Sequence, residues 1–435
     1  MRQLKDLIQS LAIKLNPPIL AMCAFTVPIS SSLKSFFFPW AVLNLLWIPA
    51  FRQQLKTLLN NRPTKMALIL FGIILIGLTY SPANFDEKWT VVSKYLKLLY
   101  FPLLLLAFQE EKAKIWAIHG FLLAMIVTCI LGVFSHFGYF QQLLPNPDHV
   151  FRNHIITGFM IAYAAFLSLR LFFMTNQRLN ISASSQERRP AACPRGPESW
   201  HHFWISRSSR GTSCVTRWLY LLCLMIFTYQ MFFINGGRMS YLIFIMLFTY
   251  GCYYHLSRLH AAIAVFVIMS IVGGAYLSSV AFQVRVHDTL TELSLFQKDN
   301  ANTSLGYRVQ FQSFAYQLWQ KHPIIGNGTG SFAYYFEELR PVPSWEGGLL
   351  EPHNQYWLFA VENGLVGLIA LLVFFGLSYQ DSLKLKYYGI SYRALLYAFL
   401  LGNLTDSLLF YSGPGYFFIL MSALCLAKVP EAVSK

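Results

Sequence analysis

Charge is what this sequence has least of. Only 12% of its 435 residues are Asp, Glu, Lys or Arg, and the acids number 19 against 34 bases. Soluble domains carry about 25% charged residues, so a chain at half that level does not cover its surface with polar groups in water. An ordinary soluble protein is excluded. Also missing are an Asp-x-Asp pair, a Gly-x-x-x-x-Gly-Lys-Ser/Thr phosphate loop and a Gly-x-Ser-x-Gly elbow. These absences argue against a nucleotide-driven enzyme and against the usual metal clamp on a sugar nucleotide. The cysteines are few. Cys23, Cys129, Cys223, Cys252 and Cys425 fall in apolar runs, and Cys193 and Cys214 in a polar stretch, so no disulfide framework is expected. No Cys/His spacing resembles a zinc site, since His201-His202 stands alone in a loop, and neither a metal nor a cofactor is expected.

What is present is apolar. Hydrophobic residues make up 55% of the chain, with 38 Phe and 24 Tyr. A helix crossing hydrocarbon needs about 20 mostly apolar residues, and twelve such runs are found near 17–31, 35–51, 64–81, 91–108, 115–138, 154–174, 217–235, 238–256, 259–282, 354–377, 394–410 and 413–428. Pro17, Pro18, Pro28, Pro39 and Pro414 make the first two and the last two of these short or broken. The fold class expected is therefore an all-α polytopic membrane protein with about 12 transmembrane helices. An outer-membrane barrel is excluded by the continuity of the runs.

The net charge of +15 suggests either nucleic acid or the positive-inside bias, and its placement decides between them. With a cytoplasmic N-terminus, 23 of the 34 basic residues fall on the inner side. The outer side receives 11 bases against 12 acids, and five of those 11 lie in one long segment, 283–352. The excess is thus a topology signal, with both termini cytoplasmic and no nucleic-acid partner. The stretch before Pro17 reads as an amphipathic basic helix and not a cleaved signal. The chain divides into 1–282 with the first nine spans, 283–352 as the external segment, and 353–435 with the last three.

Two segments stand apart from the membrane background. Residues 176–216 are rich in Ser, Arg, Pro and Gly without apolar periodicity, which predicts a disordered cytoplasmic loop. Within 283–352, Leu305, Val309, Phe311, Ala315, Leu318 and Trp319 recur at helical spacing, His322-Pro323 closes that helix, and Gly326, Gly328 and Gly330 predict a flexible loop.

Polar groups at the outer edge carry the chemical information, because a charge near hydrocarbon is costly and usually functional. Pro352-His353-Asn354 stands where the external segment re-enters the membrane, and Gly364 and Gly367 follow, three apart on one helical face as for close helix packing. A His at a helix start serves as often as a cap as in catalysis. Arg238 follows Asn235-Gly236-Gly237 at a helix N-terminus, where a guanidinium and free amides present themselves to an anion or where an arginine merely snorkels to the interface. Arg308 lies on the external helix, a position that alone says little. Asp406, in Asn403-Leu404-Thr405-Asp406, is an acid near the external end of the eleventh run. Lys94 and Lys97 are three apart near the outer surface and face either an anionic ligand or lipid headgroups. Glu362, deeper in the tenth run, reads as a helix-packing group.

Together these residues resemble the bacterial O-antigen ligases of the O-antigen ligase and polymerase superfamily. Arg238-Met-Ser-Tyr-Leu242 matches an Arg-x-x-x-Leu motif, and His353-Asn354, nine residues, Gly364-Leu-Val-Gly367 matches a His-Asn-x9-Gly-x-x-Gly motif. Arg308 followed by Trp319, His322-Pro323, Ile325-Gly326 and Gly328 resembles the family's loop helix. The resemblance is carried by about 230–375, and the 176–216 stretch has no counterpart in it. It implies a GT-C-like glycosyltransferase of the bacterial inner membrane with one large periplasmic loop containing helices and a periplasmic active site. Its donor would be O-antigen polysaccharide on undecaprenyl pyrophosphate and its acceptor the lipid A-core, with inversion and without metal or cofactor. Arg238 and Arg308 would bind the diphosphate, His353 would act as base or positioner of the acceptor hydroxyl, and Asp406 would orient His353 or an arginine. Asn354, Lys94 and Lys97 would contribute to substrate binding. An O-antigen polymerase or a protein O-oligosaccharyltransferase would use the same donor. Polymerases usually have two large external loops, whereas here 82–90 and 139–153 are short. A transporter or lipid flippase predicts midplane charges and an internal repeat, and neither is found.

Overall fold

The structure is a computed structural model and describes residues 2–48, 51, 54, 58–139, 146–187, 215–297 and 301–428. Among these residues all regular structure is helical. The helices are α1 (Arg2–Ile29), α2 (Ser31–Leu46), α3 (Arg62–Gly77), α4 (Phe85–Tyr95), α5 (Lys97–Ala107), α6 (Glu111–His136) and α7 (His154–Glu187). They continue as α8 (Val215–Ile234, ending in a π-helical turn), α9 (Arg238–His255), α10 (Arg258–Ser278), α11 (Val280–Gln297) and α12 (Ser304–Lys321). The last are α13 (Ser331–Leu339), α14 (Gln355–Leu383), α15 (Tyr388–Gly402) and α16 (Ser412–Leu426).

A helix occupies each of the twelve apolar runs. Seven helical stretches among the described residues are long and apolar enough to cross a membrane, including Gln3–Ile29, Phe85–Ala107, Glu111–His136, Arg258–Ser278 and Gln355–Leu383. The chain is a membrane protein. The packing agrees with a lipid solvent: α7 and α16 form the centre, with Phe159 to Leu167 and Phe417 to Leu426 buried almost without interruption. Phe399 of α15 stacks on Phe418 at 3.9 Å. Around this centre α1 packs on α6, α9 on α7 and α3 on α14. By contrast α10 turns Leu259, Phe266 and Leu277 outward, at 68 to 79% exposure. Such an apolar face is stable against hydrocarbon and not against water.

Several boundaries differ from the sequence expectation. The stretch before Pro17 is not a separate helix, because α1 runs through Pro17 and Pro18 to Ile29. A membrane helix tolerates such prolines where neighbours re-satisfy the backbone, and α1 is clamped here by Asn16 Nδ2, which donates to Ala107 O at 2.9 Å. The expected loop at 176–216 is helical as far as Glu187, and 188–214, with Cys193, Cys214 and His201-His202, lies outside the described residues. The described cysteines are free thiols.

The glycines of the 283–352 segment act differently from the expectation. Gly326, Gly328 and Gly330 adopt φ of 78°, 92° and 85° and are buried. This loop is pinned, not flexible: the N–H groups of Asn327 and Gly328 donate to the carbonyls of Val361 and Glu362 at 2.8 and 2.9 Å. Gly364 is no helix-packing residue but a break inside α14, with φ 62° and ψ −164°. There the N–H groups of Leu365 and Val366 leave their helix and donate to Pro323 and Ile324. A Cβ at Gly364 would lie 2.2 Å from Ile324 O, so only glycine fits. The 283–352 segment is thereby fastened to the helix that begins beside His353.

Candidate active site

The expected helix over 305–321 is present as α12, with Phe311, Phe314, Ala315 and Leu318 buried and Thr303 capping its N-terminus. Burying that stripe fixes the rotation of the helix, which leaves Arg308 half-buried and pointing toward the 403–411 turn. Arg308 Nη2 lies 3.9 Å from Asp406 Oδ2. Asp406 is not inside a helix as the eleventh run suggested. Helix α15 ends at Gly402, and Asn403 Oδ1 accepts the N–H of Leu408 at 3.0 Å to close a buried turn that carries the acid.

His353 precedes α14, held in the left-handed region at φ 53°. The next residue, Asn354, caps that helix: its Oδ1 accepts the N–H groups of Tyr356 and Trp357 at 3.0 and 3.1 Å. Its Nδ2 donates to Leu404 O at 3.1 Å and to Gln312 Oε1 at 3.3 Å. Asn354 therefore ties α12, α14 and the 403–411 turn together. His353 Nδ1 faces two carboxylates, Asp406 Oδ1 at 3.1 Å and Glu351 Oε1 at 3.1 Å. Its ring lies beside Phe311, centroids 5.9 Å apart. Burial pushes the His353 pKa down, but the Asp406 hydrogen bond and the charges of Glu351 and Asp406 outweigh burial and the opposing charge of Arg308, and the net direction is upward.

Glu351 was not singled out from the sequence. It is 2% exposed and its oxygens accept the His353 N–H, the Ser407 hydroxyl and the Tyr411 hydroxyl, each at 2.6 Å. One buried carboxylate thus sets the backbone of His353 and holds the turn bearing Asp406. The only sequence signal was adjacency in Glu351-Pro352-His353. Asp406 Oδ2, by contrast, is buried without a hydrogen-bond partner among the described residues, an acceptor left open beside Arg308.

Arg238 heads α9 with Gly237 at its N-cap and no side-chain cap. Its guanidinium forks onto Glu292 of α11, Nη1 to Oε2 at 2.8 Å and Nη2 to Oε1 at 2.6 Å. Glu292 Oε2 also accepts the N–H of Leu305 at 3.1 Å, at the start of the helix that carries Arg308. The Glu292 carboxyl is held below its ordinary range by the Arg238 hydrogen bonds first, against partial burial, with help from Leu305 N–H and the charge of Arg308. Two ion-paired groups result, Arg238 with Glu292 and Arg308 and His353 with Asp406, and they are tied together by the backbone bond from Leu305 to Glu292. Nothing in the sequence pointed to Glu292, which sits 54 residues from its partner.

The remaining candidates lie to one side. Lys97 is fully buried, and its ammonium donates to the carbonyls of Leu409, Phe410 and Tyr411 at 2.7, 3.2 and 2.8 Å. It braces the turn that carries Asp406. Lys94 is half-buried, its Nζ 5.8 Å from the Phe410 ring. Lys34, also not singled out, is 2% exposed, bonds Ser412 and lies 4.2 Å over the Tyr416 ring. Glu362 is a packing group in the literal sense, since its Oε1 accepts Gly330 N–H at 3.0 Å at the head of α13.

Two carboxylates and an imidazole within 4.8 Å of one another suit either a charged histidine or a metal ion. Arg308 already supplies Asp406 with a cation, and Ser407 and Tyr411 already occupy Glu351. This favours the histidine. Two arginines, a histidine with its second ring nitrogen unpartnered among the described residues, and a free carboxylate oxygen can bind a diphosphate and move or position a hydroxyl proton.

Residues 221–372 match the family described as O-antigen ligase, and that stretch contains Arg238, Arg308 and His353. No curated protein matches the chain.

Proposed function

We propose, from the resemblance of residues 221–372 to the O-antigen ligase superfamily, that this membrane protein is a glycosyltransferase acting on a lipid-pyrophosphate-linked glycan. Its reaction on this reading transfers an O-antigen polysaccharide from undecaprenyl pyrophosphate to the lipid A-core. The observation that carries it is that Arg308 and His353 share Asp406 while Arg238 is forked onto Glu292, whose carboxylate also accepts the Leu305 N–H at the start of the helix bearing Arg308.

The geometry supports the following roles. A diphosphate competes with Glu292 for the fork of Arg238 and draws Arg308 off Asp406, so that two guanidiniums carry the charge that develops on the leaving group. Asp406 and Glu351 hold His353 Nδ1–H, which leaves Nε2 to take or hold the proton of the acceptor hydroxyl, as an acid-oriented histidine does in other transferases and hydrolases. Attack opposite the departing pyrophosphate inverts the anomeric centre. The pyrophosphate bond is already activated, so the step needs neither nucleotide nor metal. Lys94 and Lys97 act less directly than their spacing suggested: Lys97 positions the Asp406 turn, and Lys94 remains for headgroup or diphosphate contact. On this reading the chain crosses the bacterial inner membrane twelve times with cytoplasmic termini and a periplasmic 283–352 segment, so that this end faces the side where lipid-linked polysaccharide is presented.

In cells lacking the endogenous ligase, the wild-type chain is expected to restore ladder-type lipopolysaccharide, and Arg238→Ala, Arg308→Ala and His353→Ala to abolish it at normal membrane levels. Intact ladders in all three variants contradict the assignment. Glycosylated pilin without ladders identifies a protein-directed transferase instead.

A further inference from the structure

A second group of ligating side chains lies outside this site, where the chain enters α7. Asp148, His149 and His154 each bring one ligand atom to within 4.8 Å of the others. His149 Nδ1 is 2.9 Å from Asp148 Oδ1, and His154 Nδ1 is 4.0 Å from Asp148 Oδ2. The two imidazoles meet edge to face, centroids 5.0 Å apart. His154 Nδ1 is buried and has no hydrogen-bond partner among the described residues. Buried polar atoms in folded proteins are nearly always satisfied, so this nitrogen, aimed at a carboxylate beyond hydrogen-bond reach, is a candidate metal ligand.

Two imidazole nitrogens with one carboxylate are the donor set of Zn²⁺ and its first-row neighbours, whereas Mg²⁺ and Ca²⁺ take oxygen. We propose that Asp148, His149 and His154 bind a divalent transition-metal ion of the Zn²⁺ class, with water completing the shell. Arg285 opposes this, since a Cβ at Gly236 would meet both Arg285 Nε and Asp148 Oδ2 at 2.9 Å. Arg285 has another carboxylate at hand, Asp288 at 3.9 Å, and its side chain is 41% exposed, so it moves aside without stranding a buried charge.

The place of the ion gives it a consequence. Asp148 lies against Gly236, and the carbonyl of His154 is 3.1 Å from where a Cβ of Gly237 would stand. Those glycines form the turn that presents Arg238. An ion gathering 148–154 steadies that loop beside the turn, whereas Arg238 itself is held by its fork onto Glu292, so transfer does not depend on the ion. Glu351, His353 and Asp406 are not involved.

The test is calorimetric titration of the full-length protein in detergent, first stripped with EDTA and then given Zn²⁺ or Mg²⁺. Expected is one saturable Zn²⁺ site and no Mg²⁺ site. Affinity should fall at least about tenfold in His149→Ala and in His154→Gln and stay unchanged in Glu351→Gln. The His149 side chain is 40% exposed, so its removal spares the fold, and equal unfolding temperatures of the metal-free wild type and variant verify that. Absence of a Zn²⁺ site in the wild type, or undiminished affinity in His149→Ala, overturns the proposal. So does a site lost only in Glu351→Gln, which would put the ion at the other cluster.

Discussion

Asp406 serves two cations at once, His353 through Oδ1 and Arg308 through Oδ2, and that double service has a consequence for pH. Asp406 and Glu351 stabilise the protonated imidazole, so the His353 pKa lies above its ordinary value of 6.5. A base works only when neutral, and activity should therefore climb as pH rises through that raised value. Glu351→Gln removes one of the charges holding the proton, lowers the pKa, and should move the acid limb of kcat/KM to lower pH. A limb that stays in place would show that His353 does not transfer a proton. His353→Ala should reduce kcat/KM about 10²- to 10⁴-fold if it does, measured by transfer to a defined acceptor. Arg238, Arg308 and His353 were legible in the sequence because each stands in a short ordered motif. Glu292 and Glu351 were not. A partner carboxylate has no spacing signature when it comes from another helix, and Glu351 beside His353 reads equally well as solvated charge.

At the scale of elements, the apolar runs forecast where helices lie, because a helix in lipid must be long, apolar and self-satisfied in its backbone. They did not forecast where helices stop for a purpose. The eleventh run continues in composition through 410, yet α15 ends at Gly402 because Asn403 satisfies the next turn and Lys97 collects three carbonyls that a helix would have used. Gly364 misled for a similar reason. Its spacing to Gly367 suits helix packing, and the 322–330 loop that invades the helix there was invisible one-dimensionally. Gly364→Ala should cost about 1–3 kcal/mol through backbone strain alone, and more through collision with Ile324 O at 2.2 Å. Gly376→Ala in the same helix meets no atom within 4 Å and should be neutral or slightly stabilising. Unfolding temperatures of the two variants in detergent check this contrast, and equal values would contradict the kink's importance.

For the whole molecule, the segment over 283–352 is clamped to α14 at its glycine loop and to α9 through Glu292. It lies over one end of the bundle and supplies Arg308 to it. The proposed topology puts that end outside, so an alkaline phosphatase fusion after Pro343 should be active and one after Arg258 inactive. The reverse pattern would place the site in the cytoplasm and remove the need for a flipped donor. On the proposed function, Arg238, Arg308 and the Glu351-His353-Asp406 group transfer a glycan from a lipid diphosphate without a metal in the reaction. Purified protein with defined undecaprenyl-pyrophosphate glycan and rough lipopolysaccharide, assayed in EDTA, tests it most directly. Transfer is expected to survive EDTA and to be lost in Arg308→Ala and His353→Ala. Transfer abolished by EDTA and restored by Mg²⁺, or retained in both variants, would contradict it.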